Sequence, residues 1–281
     1  MLNDVAFGQY YPVKSFVHKM DPRIKLLALI AYIVALFLAK NFYGLAACLV
    51  VLIAAIIASR VPVFRVLKSV KAVFFILIFT AVLNLFFHGG NHLLWGYGII
   101  KIYQEGVIFT VFFTLRLFFL VMGSTILTLT TTPVDLCSGI ESLLKPLTLI
   151  KVPVHALALV MSIALRFIPT LIDETNRIIS AQKARGADFE SGNIFKRIKA
   201  IVPILIPLLI SAFRRADELA DAMDARCYAY AKKRTRYKKL TFGWRDAIGV
   251  LLFAGLITGV VMFNIYAADI LPQFYQYLVL S

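Results

Sequence analysis

Five long apolar stretches, residues 24–40, 42–59, 71–88, 107–130 and 247–268, constrain this chain more than any motif in it. Each approaches the roughly 20 helical residues that cross about 30 Å of hydrocarbon, with thinning and flanking anchors making up a shortfall. The first is the shortest, its uninterrupted apolar run extending only from Leu26 to Ala39, and the third carries Asn84 near its end. With 60% hydrophobic residues and a mean hydropathy of +0.83, the chain is too apolar for a water-soluble domain. It reads as an all-α, polytopic membrane protein. The aromatic and polar N-terminus, Met1 to Met20, has no apolar core after a basic start, so no cleavable signal peptide is expected. Cys48, Cys137 and Cys227 are scattered and form neither a disulfide framework nor a thiolate metal site.

The 30 Lys and Arg residues against 15 Asp and Glu must collect outside the hydrocarbon, and their positions therefore report orientation. Lys14, Lys19, Arg23 and Lys25 precede or open the first stretch, and Arg60, Arg65, Lys68 and Lys71 lie between the second and third. The first-to-second link has only Lys40. The positive-inside rule then places the N-terminus in the cytoplasm, the polar link from His88 to Gly106 outside, and the end of the fourth span inside again.

Residues 133–245 are harder to assign. Two apolar patches, Val152–Leu165 and Ala200–Phe213, are short and interrupted by Pro153, Pro203 and Pro207, a length that suits buried or interfacial helices. If both crossed, Arg177, Lys183, Arg185, Lys196, Arg197 and Lys199 would be exported against the charge rule. The region is therefore expected to lie under the inner leaflet, giving an N-terminal membrane region over 1–132, a cytoplasmic or interfacial helical module over 133–245, and a last span with an extracellular tail over 246–281. The protein is expected in a prokaryotic cell membrane, with its N-terminus cytoplasmic and its C-terminus extracellular.

Within that module, residues 155–186 pattern as one helix stopped at Gly186. In a second, Phe213, Ala216, Leu219, Ala220 and Met223 recur at helical spacing, with Arg214 and Glu218 as an i, i+4 pair. Small residues at Ala158 and Ser162, and at Ala212, Ala216 and Ala220, suit a close helix crossing or contact with a partner in the membrane. Alanine is also simply a good helix former. Each helix ends in a tripeptide with arginine between small neighbours, Ala184-Arg185-Gly186 and Ala225-Arg226-Cys227. Such a guanidinium suits insertion into a carboxylate-lined groove, and equally suits capping its own helix or touching lipid phosphate.

With His18-Lys19-Met20-Asp21-Pro22-Arg23-Ile24-Lys25-Leu26 before the first span and Thr130-Thr131-Thr132-Pro133-Val134-Asp135-Leu136 after the fourth, these tripeptides make the chain resemble, over essentially its whole length, the transmembrane T component of energy-coupling factor transporters, the family that includes the CbiQ-type proteins. The resemblance implies an energy-coupling subunit of an ABC-type importer. Its partners would be two non-identical cytosolic ATP-binding cassette ATPases and a membrane substrate-capture S component for a vitamin or other micronutrient. It also implies that Arg185 and Arg226, with their neighbours, are the ATPase-docking tips of two crossed helices, that this chain binds no cofactor, and that ATP and Mg belong to the ATPases. Cys227 departs from the family's glycine, and Tyr228 to Ala231 suggest that the helix continues past it.

No glycine-rich phosphate loop, HExxH or GxSxG element occurs, so no catalytic residue and no ATPase activity are assigned to this chain. His88 and His92 flank two glycines and an asparagine, a poor frame for a metal site. The alternative is a self-sufficient carrier or channel, motivated by Arg116 in mid-span with Asn84 as the other intramembrane polar residue. Arg116 lacks an acidic partner in any other span, and a backbone carbonyl, Asn84 or a partner subunit would satisfy it. The basic run Lys232–Lys239 before the last span reads as an anchor to the lipid bilayer rather than a nucleic-acid site.

Overall fold

The computed structural model describes residues 10–87, 89, 92–97, 100–187, 194–228 and 242–270. The helices are α1 (Pro22–Leu38), α2 (Phe42–Ser59), α3 (Val63–Phe87), α4 (Gln104–Thr130), α5 (Pro133–Leu144), α6 (Val154–Ala184), α7 (Ile194–Ala225) and α8 (Trp244–Ile270), with a 3-10 turn over Lys145–Ile150. The chain divides into two compact units, one formed by residues 8–149 with 241–281 and one containing residues 150–240.

In the first unit the core runs along helical faces. Leu45, Cys48, Leu52 and Ile56 of α2 and Phe112, Phe119, Met122, Ile126 and Leu129 of α4 pack with Tyr32, Ala35 and Leu36 of α1 and Leu256 and Val260 of α8. Lipid drives no such burial, so close backbone approach at small residues matters more here than in water. A Cβ on Gly123 would stand 2.5 Å from the Tyr32 ring, and one on Gly139 would stand 3.1 Å from Pro22, so glycine lets α1 lie against both α4 and α5.

The helices long and apolar enough to cross a membrane are α2, α3, α4, α6 and α8. Two differences from the sequence expectation have physical causes. α3 begins at Val63 and absorbs Arg65, Lys68 and Lys71 into its first turns, because Pro62 starts the helix and no breaker follows. α6 is continuous for 31 residues. Pro153 caps it and Pro169 sits inside the helix, so its apolar part exceeds the Val152–Leu165 patch read from sequence. α1, at 17 residues, is about 25 Å long and falls short of the hydrocarbon thickness.

A two-stranded antiparallel hairpin, β1 (Leu93–Tyr97) and β2 (Ile100–Tyr103), lies in the link expected to be plain loop, with Leu93 opposite Tyr103 and Tyr97 opposite Ile100. Aromatic and branched residues around glycines favour this pairing. Gln104 N–H donates to His92 C=O at 2.9 Å and His92 N–H donates to the Glu105 carboxylate at 3.2 Å, which ties the hairpin to the start of α4. His88 lies outside the described residues, and among those described no metal-ligating cluster occurs.

Candidate functional site

The two arginine tripeptides each close their helix with a left-handed residue directly after the arginine. At the end of α6, Gly186 N–H donates to Lys183 C=O at 3.0 Å and Ala187 N–H donates to Gln182 C=O at 3.0 Å, with Gly186 at φ 84°. This is a Schellman cap, and it leaves Arg185 as the last residue before the chain turns. At the end of α7, Cys227 N–H donates to Asp224 C=O at 2.8 Å with Cys227 at φ 55°. The α-helix therefore stops at Ala225; of the suggested continuation over Tyr228 to Ala231, Tyr228 follows in a 3-10 turn and residues 229–231 lie outside the described residues. Cysteine adopts the left-handed geometry that glycine takes more easily, because the cap satisfies α7's terminal carbonyls. Ala184, Arg185, Gly186, Ala225, Arg226 and Cys227 are all exposed.

α6 and α7 pack on each other through the second half of α6. Gln182 Nε2 donates to Pro203 C=O at 3.5 Å, and Arg215 pairs with Glu174 at 3.5 Å. Proline at 203 cannot donate to the carbonyl one turn earlier, and its own carbonyl is the one that Gln182 reaches. Ala212 is half-buried, Ala216 and Ala220 are exposed, Ala158 is half-buried and Ser162 is exposed. Ala158 and Ser162 lie at least about 18 Å along α6 from Glu174, so they take no part in these two contacts. The expected Arg214–Glu218 pair is present at 3.2 Å, on an open surface where such pairs contribute about 0.3–0.5 kcal/mol.

The N-terminal and post-span motifs, distant in sequence, meet in space. Asp21 caps α1, its carboxylate accepting from Arg23 N–H at 2.9 Å, while its own N–H donates to Asp246 Oδ1 at 2.8 Å. Lys25 is buried, and its Nζ donates to Thr130 C=O at 3.0 Å, to His18 C=O at 3.3 Å and to Thr131 Oγ1 at 3.3 Å. The carboxylates of Asp135, Asp246 and Asp21 balance its charge. Thr132 caps α5 by accepting from Asp135 N–H at 3.2 Å and returns a hydrogen bond to the Asp135 carboxylate at 2.8 Å. His18 Nε2 faces Tyr11 C=O at 2.9 Å, so it carries the proton, and Nδ1 accepts from Ser15 Oγ at 2.7 Å. Burial holds His18 below its ordinary pKa, and nearby Lys25 adds to the effect, against hydrogen bonds to backbone carbonyls.

Arg116 is held by the backbone at one nitrogen, while its buried Nε has no hydrogen-bond partner among the described residues. Its Nη2 donates to Ala39 C=O at 2.6 Å and its guanidinium lies over the Phe112 ring at 4.7 Å, while Asn84 is half-buried on α3 and is not its partner. Asn264 of α8 donates to Leu38 C=O at 2.6 Å. Carbonyls at the end of a short helix have no intrahelical partner, and these two side chains supply one. Asp246 and Asn264 carry structural roles that the sequence does not announce. The only local signal is a polar residue at each end of the last apolar run.

The pattern of the family described as cobalt transport protein, CbiQ, matches residues 13–237. The chain is 50% identical over 252 residues to the energy-coupling factor transporter transmembrane protein EcfT of Clostridium kluyveri, covering 89% of this chain and 93% of that one. It is 49% identical over 248 residues to the protein of the same description from Brevibacillus brevis, covering 88% and 94%. The Bacillus subtilis protein of that description is 42% identical over 260 residues, covering 92% and 98%.

Proposed function

The chain belongs to the CbiQ family of cobalt transport proteins, and on that premise we propose that it works as the transmembrane energy-coupling component of an energy-coupling factor importer. It is a multi-pass membrane protein. In this role it joins two non-identical cytosolic ATPases, which hold ATP and Mg, to a membrane S component that captures a micronutrient. The chain itself performs no hydrolysis. The observation that carries the docking role is the matched geometry of the two tips, each presenting one exposed arginine at a left-handed helix cap.

A guanidinium at such a tip has no neighbouring bulk on either side and presents its donors to a groove lined by carboxylates. Because α6 and α7 touch through Glu174, Gln182, Pro203 and Arg215, displacement of one tip moves the other helix. This pairing makes the two helices a lever between ATPases and membrane. Ala158, Ser162, Ala212, Ala216 and Ala220 then offer small-residue contact to the S component. The N-terminus is cytoplasmic and the C-terminus extracellular, with α6 at the inner face. Were α6 to cross, Lys183, Arg185, Lys196, Arg197 and Lys199 around its exit would lie outside.

The test is copurification. Arg185→Glu with Arg226→Glu in the full chain is expected to abolish recovery of both ATPases while the membrane fold remains intact. Loss of a desolvated charged contact costs about 2–5 kcal/mol, or more than tenfold in affinity per tip. An ATPase complex recovered in unaltered yield overturns the docking role. Against the carrier alternative stands the engagement of Arg116 Nη2 with Ala39 C=O, which gives this intramembrane charge a structural use.

A further inference from the structure

The first unit contains a cavity of about 240 Å³ whose walls are apolar apart from Lys25, Thr130 and the Tyr32 phenol. It runs along α1 from Lys25 to Tyr32, a distance of about 10 Å at 1.5 Å per residue. Its other walls are the second halves of α2 and α4, the first part of α8, and Phe16, Val17 and Met20 ahead of α1. The space exists because Ala28, Ala54, Ala55 and Ala58 stand where larger side chains would fill it. Collapse is opposed by two close contacts. Tyr32 rests against Gly123 and Met20 against Gly249, each so near that a Cβ on the glycine would lie 2.5 Å from it.

An apolar cavity of this kind does not retain water, and in a bilayer the apolar groups at hand are acyl chains. A cation stands behind one of its walls. The Arg245 guanidinium lies 5.9 Å from the centroid of Phe16, which lines the cavity, and 5.6 Å from that of Trp244, which is 68% exposed. An exposed tryptophan beside an arginine at the start of a membrane helix is the pattern of the water–lipid boundary. The Lys25 ammonium is already held by three oxygens, which leaves Arg245 to meet a headgroup. We propose that this cavity is a binding site for one anionic phospholipid, with an acyl chain between α1, α2, α4 and α8 and its phosphate on Arg245.

Full-length protein equilibrated with equal amounts of phosphatidylglycerol and phosphatidylcholine and examined by native mass spectrometry should retain one phosphatidylglycerol. Ala55→Phe and Ala58→Leu, which fill the cavity, should lose it. Arg245→Gln should weaken retention of phosphatidylglycerol about tenfold and leave phosphatidylcholine unchanged. In the unaltered chain, phosphatidylglycerol bearing a photoreactive acyl chain should crosslink Val51 and Leu127 within the cavity in preference to Phe75 on the outer face of α3. This measurement decides the matter even where a filled variant fails to fold. Retention by a folded Ala55→Phe protein, equal retention of the two lipids, or crosslinking confined to Phe75 overturns the proposal. A free fatty acid recovered in place of the phospholipid overturns it as well.

Discussion

Cys227 holds a backbone angle of φ 55° that costs a side-chain-bearing residue on the order of 1 kcal/mol, whereas glycine adopts it freely. Cys227→Gly should therefore stabilise the end of α7 by up to about 1 kcal/mol, seen as slower amide exchange at Asp224 to Cys227. Gly186→Ala should destabilise the end of α6 by a similar amount, through strain alone, since nothing lies within 4 Å of its added Cβ. His18 gives a pH dependence of known sign. Its folded pKa is depressed by burial, so the unfolded chain binds the proton more readily. The contribution is fully present above about pH 6.5 and is lost as pH falls towards the depressed folded value. Thermal unfolding in detergent should fall between pH 7.5 and 5 more steeply in the native chain than in His18→Gln, which does not titrate there. At this scale the sequence marked both arginines, because their small neighbours are local information. It placed the end of α7 at Ala225-Arg226-Cys227 but left a continuation past Cys227 open, because a left-handed cysteine leaves no compositional trace.

At the scale of elements, the signatures before the first span and after the fourth are two halves of one buried knot. Lys25→Met should destabilise the membrane unit by about 3 kcal/mol, because it strands buried carbonyls and removes the buried cation that the carboxylates of Asp135, Asp246 and Asp21 face. Thermal denaturation of the purified chain measures it. Arg116→Leu combined with Asn264→Leu exposes the Ala39 and Leu38 carbonyls and should lower stability more than either change alone. The motifs were legible as residues but their partnership was not. Lys25 meets Thr130, and Asp21 meets Asp246, across sequence separations of 105 and 225 residues, and no periodic pattern connects them.

For the whole molecule, the proposed orientation rests on charge, and Cys227 makes it measurable. It is exposed, whereas Cys48 is buried and Cys137 is half-buried with its thiol pKa pushed up by desolvation. A membrane-impermeant maleimide should label Cys227 in inverted vesicles and leave it unlabelled in intact cells; the reverse would place α6 across the membrane. The existence of five long apolar helices was legible, since hydrophobic runs are read directly from sequence. Which five was less so: α1 is held by neighbours despite its length, and α6 gains its length by carrying Pro169 internally. The same knot also sets an order of assembly during synthesis. Lys25 leaves the ribosome long before Thr130 exists, and Asp246 arrives only with the last helix, so the first helix inserted is the last one locked. Nascent chains arrested before Asp246 should therefore keep α1 extractable by alkali or within reach of the insertion machinery, and completion of α8 should release it.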